Sequence, residues 1–199
     1  MKQQAAVPAG REWIEQDIRA FRGTPFERIG DQWILISAGD ISAGQGNWNT
    51  MTASWGGLGV LWGKNVAQVY VRPGRHSFAF FNQSSLFSLA FFDKQYHKAL
   101  EVCGTKSGRD TDKAAAAGLS PLCFGGLRSV AGSPVAGGVG FAEASELLFC
   151  RKLYTHDIDP AHFLDPQIEA NYPDKDYHRL FIGEIVAYRV KQEQAARLS

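Results

Sequence analysis

Apolar and polar positions alternate with period two over several short stretches of this chain, and that pattern predicts strands. Gln32–Ser37 is the first. Asn47–Trp55 is the second, with small hydroxyl or amide side chains interleaved with Met51 and Ala53. Asn65–Arg72 is the third, where Val66, Gln68 and Tyr70 face away from Ala67, Val69 and Val71. Leu86–Phe92 is almost continuously apolar, which predicts a strand buried on both faces. Phe141–Tyr154 and Arg179–Val190 complete the set. Helical spacing is expected over Arg11–Arg22, where Trp13, Ile14, Ile18 and Phe21 share a face and Gly23 is a stop. It recurs over Arg75–Gln83 and over Lys94–Val102. A further helix, which Asp110 can cap, carries Asp112 and Lys113 and ends at Gly118. Glycine marks Ala38–Gly46 and Gly56–Lys64 as connections. Leu119–Gly140 and Asp157–Tyr172 read as long loops, the kind that are functional or mobile. Strands with interposed helices indicate a mainly β barrel with helical additions.

Composition narrows the picture without redirecting it. With 199 residues, 45% hydrophobic and 21% charged, the chain has ordinary globular character and the length of one domain. A formal net charge of +1 gives no electrostatic case for nucleic acid or an acidic membrane. No apolar run reaches membrane-spanning length, and the first residues lack the apolar centre of a signal peptide. The cysteines, Cys103, Cys123 and Cys150, form no CxxC pair, so buried thiols in a reducing cytoplasm are expected rather than disulfides or zinc. Gly56–Lys64 fails as a phosphate-binding loop, since Leu58 stands where glycine is needed and Asn65 where Ser or Thr is needed. No metal-ligand spacing and no nucleophile elbow is visible.

The second strand carries the candidate chemistry. Its Asn49, Thr50, Thr52 and Ser54 put short hydrogen-bonding groups beside an approachable backbone, a surface suited to a flat, polar-edged ligand. Arg72 and Arg75 bracket Pro73-Gly74 and lead into His76-Ser77, where guanidiniums meet N–H groups at a helix start and favour an anion. A planar ring on the strand and a phosphate at the turn together describe flavin mononucleotide, FMN. Lys106, Ser107, Arg109 and Lys113 form a second basic, hydroxylic cluster, which by itself reads as the solvated face of a capped helix. His178 is the histidine expected to face an exposed flavin ring and to titrate near neutral pH.

The string NTMTASWGG, the run K-x-VAxVYVRPxR and the strand LFSLAFFD, with Ser107-Gly108-Arg109-Asp110 and His178–Glu184 after them, resemble the flavin reductase-like, FMN-binding split-barrel family, flavoredoxin-like subgroup. The resemblance implies a six-stranded Greek-key split β-barrel over residues 29–190, preceded by a helical extension (1–28) and followed by a polar tail (191–199). It implies FMN contacts from Asn49, Thr50, Met51, Thr52, Ala53, Ser54 and Trp55, from Tyr70, Arg72, Arg75 and Ser77, and from Lys106, Ser107, Arg109 and Lys113. NADH or NADPH is the implied co-substrate. The implied assembly is a homodimer with flavin near its interface. Two functions stay open: a NAD(P)H-dependent flavin reductase, or an electron carrier that exchanges electrons with a protein partner. An oxidase-like relative acting on a small molecule is a third. Leu127–Phe141 and Asp157–Asn171 are candidates to wall the open ring face. The chain departs from the family at His76-Ser77, where an aromatic and Thr are usual, and at Asn65, where Pro is common.

Overall fold

Alternation along the strands becomes two-sided burial in the folded chain. The computed structural model describes residues 7–8, 12–44, 46–127 and 137–192. Its strands are β1 (Val7–Pro8), β2 (Trp13–Gln16), β3 (Ile34–Gly39), β4 (Trp48–Ala53), β5 (Gly56–Leu61), β6 (Lys64–Val71), β7 (Leu86–Phe91), β8 (Pro121–Phe124), β9 (Gly138–Phe141), β10 (Glu146–Asp157) and β11 (Arg179–Lys191). The helices are α1 (Ser77–Gln83), α2 (His97–Thr105) and α3 (Lys113–Ala117).

Strands pair in the order β4-β3-β7-β10-β11-β6-β5, with β2 added to β11, to make an eight-stranded sheet. The two ends of that path, β4 and β5, are consecutive in the chain and separated only by Ser54 and Trp55. The sheet must therefore roll until its edges meet at this corner. No ladder joins them among the described pairings, so the barrel stays split along that seam. Ile34, Ile36, Met51, Ala53, Val69, Val71, Phe87, Leu89, Phe91 and Leu148 fill its interior. The alternate residues Leu35, Leu86, Ala90, Leu147 and Phe149 face outward under α2 and the small sheet β1-β8-β9. β7 is buried throughout and apolar except at Ser88, whose hydroxyl donates to the Val139 carbonyl, because it has a core on each side. Burial of each large side chain in these layers contributes about 1.5–3 kcal/mol.

Two expectations are corrected. The stretch Arg11–Arg22 is not a helix: Trp13–Gln16 pairs antiparallel with Tyr188–Lys191, and a single 3₁₀ turn, Ile18–Ala20, follows. β6 covers β11 only as far as Glu184, which leaves the rest of that edge open to β2. Trp13 goes to the outer core, against Phe124 at 5.4 Å, while Ile18 and Phe21 pack on the inner one. One helix face cannot serve both cores, and an isolated helix of this length is marginal. The glycine-rich Gly56–Lys64 is a strand and a hairpin turn, in which Trp62 and Gly63 both have positive φ, 53° and 68°. That conformation matches the twist of the flanking strands.

Smaller differences follow from local bonds. The cap of α3 is Asp112, whose carboxylate accepts from the Ala115 amide at 3.0 Å, rather than Asp110. The Leu119–Gly140 stretch contains β8 and most of β9, and its residues 128–136 lie outside the described residues. Cys103 and Cys150 are buried and Cys123 is half-buried. No described helix is long and apolar enough to cross a membrane.

Gly183 supports the contact of β11 with β7 and β10: a Cβ there would lie 2.6 Å from the Phe87 ring and 2.8 Å from Cys150 Cβ. Gly183→Ala is expected to lower stability by about 1–3 kcal/mol in urea unfolding, as overpacked cores do. Gly59→Ala, with nothing within 4 Å of the new methyl, is expected to change it by less than about 0.5 kcal/mol.

Candidate functional site

β4 is an edge strand, bonded to β3 on one side and free on the other. Its inward residues Met51 and Ala53 are spent on the barrel core. The hydroxyls are largely spent too. Thr50 Oγ1 bonds Ser37 Oγ at 2.9 Å and the Ile36 carbonyl at 3.2 Å, and Thr52 Oγ1 donates to the Leu100 carbonyl at 2.5 Å. What stays open is the backbone edge and the ground beside it.

Two cavities lie along successive stretches of this strand. The first, about 280 Å³, is lined by Trp48, Asn49, Thr50, His76, Arg109 and Lys113 among others. The second, about 210 Å³, is lined by Thr52, Ser54, Arg75, Gly104 and Trp33 among others. The turn between α2 and α3 reaches the first because Gly108 has no side chain: a Cβ would stand 2.4 Å from Asn49 Oδ1. Asn49 is held from behind by Ser77, its Nδ2 donating to Ser77 Oγ at 2.8 Å.

Lys113 joins the turn to the strand. Its buried ammonium donates to the Thr50 carbonyl at 2.8 Å and to the Cys103 carbonyl at 3.1 Å. Burial lowers its pKa to about 8, and the positive charge of Arg75 adds to the effect, although Cys103 opposes it. His76 is pushed below its ordinary value by burial, then by Arg109 and Lys113, against a weaker pull from Asp110. The first cavity is thus lined by the cations Arg109 and Lys113 and by the carboxylates Asp110 and Asp112. Arg75 donates to the Gly104 carbonyl at 3.0 Å beside the second cavity.

The remaining candidates gather elsewhere or stay on the surface. Arg72 turns away from the cavities, pairing with Asp176 at 2.7 Å, donating to the Asn171 carbonyl at 2.8 Å and covering the Tyr172 ring. Trp55 and Tyr70 meet His178, with ring centroids 4.9 and 6.5 Å from the imidazole. His178 is buried, and its Nδ1 bonds the Tyr172 hydroxyl at 3.0 Å. Burial and then Arg72 lower its pKa to about 4, so it is neutral near pH 7 rather than titrating there. Lys106 and Ser107 are exposed on the turn, where Ser107 Oγ accepts from the Arg109 amide. Sequence reasoning left out Trp48, Gly108, Trp33 and His76 as lining residues. His76 carried a signal in its place beside the Arg-Pro-Gly-Arg turn, and Gly108 in the Ser107-Gly108-Arg109-Asp110 piece.

A split barrel with a polar cleft along a free edge strand is the class that fold and site define. Residues 27–198 match the flavin reductase like domain, and the chain belongs to that family. No curated protein matches it. Among solved structures, it is similar to an FMN-binding domain of a flavin reductases-like enzyme from Shewanella baltica OS155, with 18% identity over 91% of this chain and 78% of that one and a TM-score of 0.57. Flavoredoxin of Desulfovibrio vulgaris (Miyazaki F) gives 19%, 81%, 70% and 0.58. Nitrilotriacetate monooxygenase component B from Bacillus cereus gives 15%, 83%, 74% and 0.58. At these identities the likeness is one of fold.

Lys113 makes stability depend on pH in a defined direction. Its folded pKa of about 8 lies below the ordinary 10.5, so the unfolded chain holds the proton across that interval and the folded chain does not. Stability attributable to Lys113 is expected to rise from pH 8 to 10.5 and to be level below pH 8. Chemical unfolding of wild type and Lys113→Met over pH 7–10.5 should show this rise in the wild type minus variant difference; a level difference would remove the assignment.

Proposed function

We propose that this chain binds FMN along the free edge of β4 and acts as a NAD(P)H-dependent flavin reductase. The observation that carries the reading is membership of the flavin reductase like domain family over residues 27–198. The donor set fits the group. Lys113 and Arg109 offer positive charge beside Asn49 and Thr50, where a phosphate needs it, and Arg75 offers it beside Thr52 and Ser54. The first cavity, at about 280 Å³, approaches the low end of the 300–1,000 Å³ common for small-molecule sites, and the second extends it along the strand. No described strand pairs with the outer edge of β4, and apart from the Thr50 carbonyl, which Lys113 already bonds, that edge can meet the polar groups of a flavin ring, each of which costs about 1–3 kcal/mol if left unmet.

FMN, when bound, supplies the redox chemistry, accepting hydride equivalents from a nicotinamide and passing electrons to an acceptor. The chain supplies binding, orientation and charge. A buried ammonium beside the site stabilises negative charge that develops on a reduced ligand. His178, neutral among Trp55, Tyr70 and Tyr172, gives the Ser54-Trp55 corner a rigid aromatic wall carrying a hydrogen-bonding ring rather than a charge. Homodimerisation is part of the same reading. Val60 and Trp62 of the β5–β6 hairpin are 73% and 59% exposed, and Trp62 lies beside the exposed Tyr154, an apolar surface that a second copy would cover.

Protein loaded with FMN and mixed anaerobically with NADH or NADPH is expected to bleach within a catalytic turnover time. Bleaching by dithionite alone would replace the reductase with an electron carrier, and failure to retain FMN after desalting would end both readings. Lys113→Met is expected to weaken FMN binding about ten-fold or more through loss of a charge-assisted contact. Light scattering should give twice the 21.9 kDa chain mass, and a monomer would remove the dimer.

A further inference from the structure

Among the residues lining the first cavity to which the flavin reading gives no part is a histidine. His76 lines the cavity together with Arg109 and Lys113 and is braced by Phe80, whose ring meets the imidazole edge to face at 5.3 Å. We propose that His76 is a phosphate ligand that selects the doubly charged monoester of FMN, taking up a proton as that ligand enters. This inference rests on the FMN reading above.

The charges around the imidazole come from a few directions. Arg109, Asp110, Asp112 and Lys113 approach from the turn before α3 and from its first residue, and Arg75 precedes His76 in the chain. In the absence of ligand, burial and the charges of Arg109 and Lys113 act against an imidazolium, and Asp110 only partly offsets them. A phosphate monoester, whose second pKa is about 6, carries close to two negative charges at pH 7. Placed between Arg109, Lys113 and His76, a dianion reverses the sign of the local field and makes the protonated ring the favoured form. A ligand lacking the phosphate has no such effect. An aromatic hydrocarbon at this position would pack on Phe80 equally well, but it could not answer the second charge. His76 therefore sets how strongly the cavity prefers a phosphorylated flavin and makes that preference fall as pH rises. Lys113 produces a separate loss of affinity, but only above its own pKa of about 8.

The test is flavin titration by fluorescence quenching between pH 6.5 and 7.5, with FMN and with riboflavin, on wild type, His76→Phe and His76→Gln. Calorimetry in two buffers of different ionisation enthalpy reads proton uptake directly. For wild type the FMN dissociation constant should rise several-fold, up to about ten-fold, across that interval, with net proton uptake. Riboflavin binding should be level. Both variants should bind FMN with no slope and no uptake, and their preference for FMN over riboflavin at pH 6.5 should be smaller by a similar factor. A slope that persists in either variant, an equal slope for riboflavin, or level FMN binding by wild type overturns the role of His76 while leaving FMN as the ligand. Binding of neither flavin by wild type at any pH overturns the FMN reading, and this inference with it.

Discussion

A sheet whose two edge strands follow each other in the chain has little freedom in its shape. β4 and β5 stand at opposite ends of the pairing order, yet two residues join them, so the sheet between them has to close on itself. Closure brings the inward faces of β3, β4, β6, β7 and β10 onto one core. It also leaves β4 with a backbone edge that no strand takes. Exposed strand edges are normally covered or blunted. Here the turn between α2 and α3 covers part of the edge and leaves cavities beside it, so the constraint that closes the barrel also creates the cleft.

The charge in that cleft is structural before it is functional. Lys113 bonds a carbonyl of β4 and a carbonyl of α2, which fastens the helical layer to the strand. A buried ammonium with two neutral acceptors and no neighbouring carboxylate bonded to it in the described contacts is held at some electrostatic disadvantage, as its lowered pKa reflects. Arg75 and Arg109 bring further positive charge nearby, and burial with Arg109 and Lys113 holds His76 toward its neutral form. By contrast Arg72, close in sequence to Arg75, is neutralised by Asp176 and held over Tyr172. Neighbours in sequence thus divide between a cleft lined by charged groups and an aromatic wall where the charge of Arg72 is paired.

Helical spacing at Arg11–Arg22 was misleading because Trp13 and Phe21 serve different cores, and the open half of β11 decided the matter. Glycines at Gly56–Lys64 suggested a connection for a similar reason. A strand that packs one face only, and lightly, shows little alternation, and only pairing with β6 identifies it. The hydroxyls of Thr50 and Thr52 looked available in sequence, but whether a hydroxyl is free depends on what packs against it, and β3 and α2 take them up.

The sequence by itself determined the central strands, the mainly β class, the family and the importance of β4, because each follows from local periodicity or from residues adjacent in the chain. Only the tertiary structure decided which of the candidate groups meet. Lys113, Arg109 and His76 come to Asn49 and Thr50, while Arg72 and His178 go to Tyr172. It also decided protonation, since the burial that lowers the pKa values of His178 and Lys113 arises from segments distant in sequence. Periodicity records which way a side chain points, but desolvation and charge depend on what the rest of the chain brings to it.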